Sequence, residues 1–178
     1  MKIFTLIAFI MMITSFTIKA QEGGTMDQFK INLLTPGIGY EKKLGTKGTL
    51  DLTATGYFSW VGSDTYIKPS IDIGYRYYYN ILRRESRGRN IKGNSASFLI
   101  ASIGYTHRNI TKSKYLYNTN PIGFDCKLQW GIRRTFNWFY LEGKAGGCKQ
   151  WWHHTDLNIT TQEPIGFLGE LTIGFLIQ

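Results

Sequence analysis

This sequence predicts an all-β chain that closes as a small antiparallel up-and-down transmembrane β-barrel of eight strands. Three observations carry that expectation. Apolar and polar residues alternate with a period of two through most of the chain, the signature of strands with one apolar and one polar face. Most alternating segments reach ~9–11 residues, the length of a tilted strand that crosses a bilayer. Aromatic residues gather at the segment ends, as two interfacial girdles require. The 20 Gly, 4 Pro, 11 Tyr, 11 Phe and 5 Trp of the 178 residues agree with an aromatic-rich β protein.

The chain opens with Lys2, an apolar run over 3–13, polar Thr14, Ser15, Thr17 and Lys19, and then Ala20. This is the pattern of a secretory signal peptide over 1–20, cut before Gln21, followed by one domain over 21–178. The apolar run is short for a membrane span, and nothing later approaches ~18 consecutive apolar residues. Cleavage removes Lys2 and Lys19 and leaves nineteen basic against twelve acidic residues, a formal charge of +7. An exported chain of that charge meets lipopolysaccharide, lipid phosphates or peptidoglycan before nucleic acid.

Residues 29–44 form the first strand region, with Pro36-Gly37 breaking its register, and 45–48 make a tight turn. The second strand sets Leu50, Leu52, Ala54, Gly56, Phe58 and Trp60 on one face and Asp51, Thr53, Thr55 and Tyr57 on the other. In the third, Ile67, Ile71, Ile73, Tyr75, Tyr77 and Tyr79 oppose Lys68, Ser70, Asp72 and Arg76. A basic loop follows, with Arg83, Arg84, Arg87, Arg89 and Lys92 against Glu85 alone. The fourth strand, 95–106, turns Leu99, Ala101, Ile103 and Tyr105 outward.

The cleanest element is the hairpin over 124–150, turning at Phe136-Asn137. Phe124, Cys126, Leu128, Trp130 and Ile132 lie on one parity, with Asp125, Lys127, Gln129 and Arg133 on the other. The last strand alternates Phe167, Gly169, Leu171, Ile173, Phe175 and Ile177 against Glu170 and Thr172. Seven strands are evident where an even number is expected. The missing one is expected within 29–40, split at Pro36-Gly37, or within 115–120.

Alternation alone leaves the apolar face free to point inward, as in a soluble periplasmic lipid-binding barrel, or outward, as in a membrane barrel. Strand length and aromatic placement favour the outward face. The polar faces carry both charge signs, so Asp72, Arg76, Lys127, Arg133, Glu142, Lys144 and Glu170 are expected as a paired network filling a narrow lumen. The runs YRYYYNILRRESRGRNIKGNSASFL and LQWGIRR, with a later Gly-rich strand, resemble an uncharacterised family of small outer-membrane β-barrel proteins from Bacteroidetes-type bacteria. The resemblance extends from about Pro36 onward. It implies a barrel in the outer membrane of a Gram-negative cell, with no assigned activity and no site residues to carry over.

Cys126 and Cys148 are the only cysteines. A register that keeps the apolar face continuous, with Ile132 opposite Leu141 and Trp130 opposite Gly143, sends Cys126 outward and Cys148 inward. Two unpaired thiols are therefore expected. His153-His154 beside Asp156 lack further metal-ligand spacing, and His107 has no triad partners, so no metal, cofactor or catalytic residue is assigned. The basic loop is expected at lipid headgroup phosphates or against an anionic envelope partner. The expected role is structural or interactive within the envelope, as a monomer among outer-membrane lipids. A lipid-modifying enzyme of acyl hydrolase or transferase type, a soluble lipid carrier and a small-solute pore stand as alternatives.

Overall fold

The computed structural model describes residues 23–61, 64–108, 121–154 and 158–177. The expected signal peptide and its cleavage point lie outside them, as do the 115–120 segment, Asp156 and the side chain of Trp60. Among the described residues nine strands follow in order: β1 Gln28–Asn32, β2 Gly37–Lys43, β3 Gly48–Val61, β4 Asp64–Tyr77, β5 Ser97–Thr106, β6 Ile122–Phe136, β7 Phe139–His154, β8 Ile159–Gln162 and β9 Gly166–Ile177. One short helix, α1 Ile81–Glu85, and a 3-10 turn, Lys92–Asn94, lie between β4 and β5.

Each of β1 to β7 pairs antiparallel with the next. β7 then pairs with β9, and β9 with β1, which closes an eight-stranded barrel. The missing strand is β1, hidden within 29–40: residues 33–36 turn the chain between β1 and β2. β8 is an extra strand on the upper end of β7, where Trp151 faces Gln162 and His154 faces Ile159. A break at Glu163-Pro164 separates it from β9, since proline cannot donate to the ladder. We call the end that carries 44–47, the β4–β5 connection and the β6–β7 turn the lower end, and the opposite end the upper.

The β6–β7 turn is Asn137-Trp138, with Asn137 at φ 56°. This differs from the expected Phe136-Asn137 turn. It places Ile132 opposite Gly143 and Trp130 opposite Ala145. The shift from the expected register is two residues, so every side chain keeps its face. Cys126 is consequently exposed on the outside and pairs in register with Lys149, while Cys148 is buried and faces inward opposite Lys127.

The faces are sorted as the alternation predicts. Leu50, Leu52, Ile71, Ile73, Leu99, Ile103, Leu128 and Leu171 are exposed, while Glu41, Asp51, Arg76, Gln129, Arg133 and Glu142 are buried. The molecule is apolar outside and charged inside, the reverse of a water-soluble barrel. Tyr75, Tyr77, Trp130, Phe136 and Trp138 ring the lower part of the belt, and Phe58 and Phe124 stand toward the top. The 15 residues of β6, at ~3.3 Å each and tilted ~45°, climb ~35 Å, more than the ~25 Å apolar band of a membrane barrel.

The wall is uneven in height. β1 has 5 residues and β2 has 7, against 14 each in β3 and β4 and 12 in β9. Among the described residues, β9 keeps only β7 as a neighbour above the β1–β2 turn and β3 keeps only β4. The last ties across the turn are Leu33 N–H to Ile173 O at 2.8 Å and Gly56 N–H to Pro36 O at 2.8 Å. A gap of two absent strands, or three strand spacings of ~4.8 Å, is left between β3 and β9.

Candidate functional site

The lower lumen is filled by ions that neutralise one another. Arg133, fully buried, donates from Nη1 to Glu41 Oε2 at 2.8 Å and from Nε to Glu142 Oε2 at 2.6 Å. Arg76 donates to Glu142 Oε2 at 2.8 Å and stands 3.2 Å from Asp51. Lys30 closes the group on Asp51 and lies 3.7 Å from Glu41. Three cations thus meet three carboxylates. Removing any one leaves an uncompensated charge in a buried site.

Neutral donors complete the shell around Glu41. Oε1 accepts from Tyr78 at 2.6 Å, Thr49 at 2.7 Å and Asn94 at 2.9 Å, and Oε2 accepts from Gln28 at 2.7 Å. Two of these donors, Tyr78 and Asn94, come from the β4–β5 connection, which folds back as a plug rather than standing off as a loop. Tyr78, Ile81, Ala96, Phe98 and Ile100 form its apolar core, and the Arg76 guanidinium lies 4.7 Å from the Phe98 ring centre.

Backbone and side-chain bonds fix the plug. Tyr78 N–H donates to Lys47 O at 2.7 Å, Ser97 N–H to Asn80 Oδ1 at 2.9 Å, and Arg133 N–H to Ala96 O at 2.8 Å. Gly93 at φ 57° and Asn94 at φ 55° turn the chain so that the Asn94 amide enters the lumen floor. Glycine and asparagine are the residues that adopt that conformation most readily.

The seven residues named from the sequence fall into three ion-paired sets. Arg76, Arg133 and Glu142 join the lower cluster described above. Lys127 bonds Asp72 at 2.6 Å and stands 3.2 Å from Asp125. Lys144 bonds Glu170 at 2.7 Å, and Gln129 donates to Glu170 at 2.9 Å. Sequence reasoning missed Lys30, Glu41, Asp51 as an ion-pair member, and Tyr78. The signal for Glu41 is the alternation of Gly37, Gly39 and Glu41 against Ile38 and Tyr40, which a single broken strand over 29–44 obscures.

Between these sets the lumen narrows to a space of about 60 Å³. Above it the barrel opens into a cavity of about 440 Å³, lined by Tyr57, Lys68, Asp125, Lys127, Gln150 and Trp152 from the walls and by 168–172 of β9. Lys68 Nζ lies 5.5 Å from the Trp152 ring centre.

The basic loop occupies the lower end, outside the plug. Arg83, Arg87, Arg89 and Lys92 are exposed. Arg84 is half-buried and donates to Asn90 O at 3.0 Å; burial and the nearby Arg89 cation pull its pKa below the ordinary arginine value. The five cations share one end of the barrel without converging on a pocket. At the upper rim His153 Nδ1 lies 3.1 Å from Thr160 Oγ1 across the β7–β8 pairing, and His107 Nδ1 lies 2.9 Å from the Tyr105 hydroxyl. Among the described residues no carboxylate orients either ring, and no group of three or more His, Cys, Asp or Glu side chains is placed to hold a metal.

No family resemblance decides the role. The chain matches no protein-family model, no curated protein and no solved structure.

Proposed function

We propose that this protein is a small outer-membrane β-barrel, exported through a cleaved signal peptide, with a structural or interaction role in the envelope. The observation that carries the reading is the outward apolar belt around a charged, ion-paired interior. Such a surface is costly in water and suited to lipid, and the paired backbone of the closed lower barrel satisfies itself within hydrocarbon. The family resemblance of the 75–99 run and of LQWGIRR points the same way and stands as part of the proposal.

The interior argues against the alternatives. A soluble lipid carrier needs an apolar cavity, and this lumen is lined with ion pairs. A pore needs a continuous channel, and here the neutralised cluster and the β4–β5 plug stop the lower end. An acyl-transfer enzyme needs a nucleophile, a base and an oriented acid together. The cross-strand His153 and Thr160 pair supplies two of these on an exposed hairpin.

In this reading the lower end faces the periplasm, and the exposed cations of 83–92 lie at inner-leaflet phosphates or meet an anionic envelope partner. The test is reconstitution of the mature protein into vesicles whose lipids carry bromine at defined acyl depths. Quenching of tryptophan fluorescence should be strong at both interfacial depths, and planar bilayers should show no steady current. Recovery of the protein in the soluble fraction, without quenching, would overturn the proposal.

A further inference from the structure

The upper cavity borders the gap in the wall. Five consecutive residues of β9, 168–172, line it, with Leu168, Glu170 and Thr172 facing the lumen and Gly169 and Leu171 on the outer parity. They run along the edge of β9 that no described strand pairs above the β1–β2 turn. Thr35 of that turn and Tyr57, on the facing edge of β3, line the same cavity. The outer lip carries Leu171 and Phe167, both exposed, and Leu34 of the turn is exposed beside it. The opening therefore lies within the apolar belt rather than above it.

Two further observations say what fits there. The free edges of β3 and β9 expose backbone N–H and C=O groups that hydrocarbon cannot satisfy, so non-paired backbone at this depth requires a polar interior behind it. The cavity supplies one. Its charges are also unevenly used: Lys127 is engaged by Asp72 and Asp125, and Lys144 by Glu170, whereas Lys68 touches the Trp152 ring and pairs with no carboxylate among the described residues. One lysine inside the wall is thus held by an aromatic face, with no carboxylate partner among the described residues. Its volume, about 440 Å³, is within the ~300–1,000 Å³ of small-ligand sites.

We propose that the gap between β3 and β9 is a lateral portal and that the cavity behind it binds one anionic amphiphile. The acid head sits at Lys68 beside Trp152 and Tyr57, and the hydrocarbon chain leaves along Leu168 and Leu171 into the belt. The idea rests on the outer-membrane reading above. A fatty-acid carboxylate and a phospholipid phosphate present the same chemistry to Lys68.

The experiment uses the full mature chain in lipid nanodiscs, with two probes run separately: a fatty acid and a phosphatidylglycerol, each carrying a photoreactive diazirine in the acyl chain. Cross-linked peptides are mapped, and affinity is measured for the better probe. Labelling should concentrate on 166–172, along which the acyl chain runs, and the probe that labels identifies the source of the head. Lys68→Gln should weaken affinity about tenfold.

Gly169→Trp places a large side chain at the lip, where an added Cβ meets nothing within 4 Å, and should abolish site-specific labelling. Ala101→Trp, on the outward face of β5, should change nothing. Labelling spread evenly around the belt and indifferent to Lys68→Gln and Gly169→Trp would overturn the portal while leaving the membrane barrel intact. An SDS-resistant dimer cross-linked through 166–172 would overturn it too, by showing a second copy in the gap. A chain that fails to enter nanodiscs at all refutes the outer-membrane reading, and the portal with it.

Discussion

Replacing Arg133 by methionine tests the interior most sharply. The side chain is fully buried and holds Glu41 and Glu142 together. Without it the cluster keeps two cations, Lys30 and Arg76, against three carboxylates. Glu142 retains Arg76 at 2.8 Å, and Glu41 retains the Tyr78, Thr49, Asn94 and Gln28 donors. Breaking one partner out of a buried ion pair costs ~3–5 kcal/mol, and the surviving donors hold this case near the lower bound, at ~3 kcal/mol. That is a shift of roughly a hundredfold in the unfolding equilibrium.

The assay is urea unfolding in lipid vesicles, followed by tryptophan fluorescence. Arg133→Met should lower the midpoint strongly with little change in slope. Adding Glu142→Gln removes the excess negative charge, so the double variant should cost at least ~1 kcal/mol less than the sum of the singles. A loss below ~1 kcal/mol for Arg133→Met, or strict additivity in the cycle, would refute the view that this cluster is a buried, mutually neutralised plug.

Three further outcomes follow from the same geometry. Tyr78→Phe deletes one donor to a buried carboxylate and should cost ~1.5–3 kcal/mol in the same assay, while leaving membrane insertion unchanged. Gly93→Ala drives a Cβ against Leu176 Cδ1 at a positive φ and should cost ~1–2 kcal/mol from left-handed strain, read as earlier protease cleavage between β4 and β5. Cys126, exposed on the outer face, should resist a charged maleimide in intact membranes yet react with a lipid-soluble one, and Cys148 should react with the charged reagent only after unfolding. Equal labelling of both thiols by the charged reagent in intact membranes would contradict the assignment of faces.

Much of this was legible because a β-barrel writes its two faces as parity. Leu50 to Phe58 and Asp72 against Ile73 needed no structure to be sorted, and a two-residue error at the Asn137 turn left every face unchanged. What failed had a physical reason in each case. The β1–β2 turn opens on Leu33 and Leu34, exposed at the surface, so Pro36-Gly37 reads as readily as a bulge within one strand as a turn between two. The 78–96 segment reads as a solvated basic loop because Arg83, Arg87 and Arg89 dominate it. Tyr78, Ile81 and Asn94, spaced without period, are what turn it into the floor of the barrel. The lateral gap was out of reach, since it depends on two neighbouring strands ending short, and strand ends are the least certain feature of a parity pattern.

The central claim is a closed barrel with its apolar face in lipid. It is tested most directly by SDS gel mobility of the outer-membrane fraction, boiled against unboiled. A closed barrel keeps every lower strand paired and should run faster without heat, then shift to its full apparent mass on boiling. A protein found in the soluble periplasm, with the same mobility before and after boiling, would contradict the account.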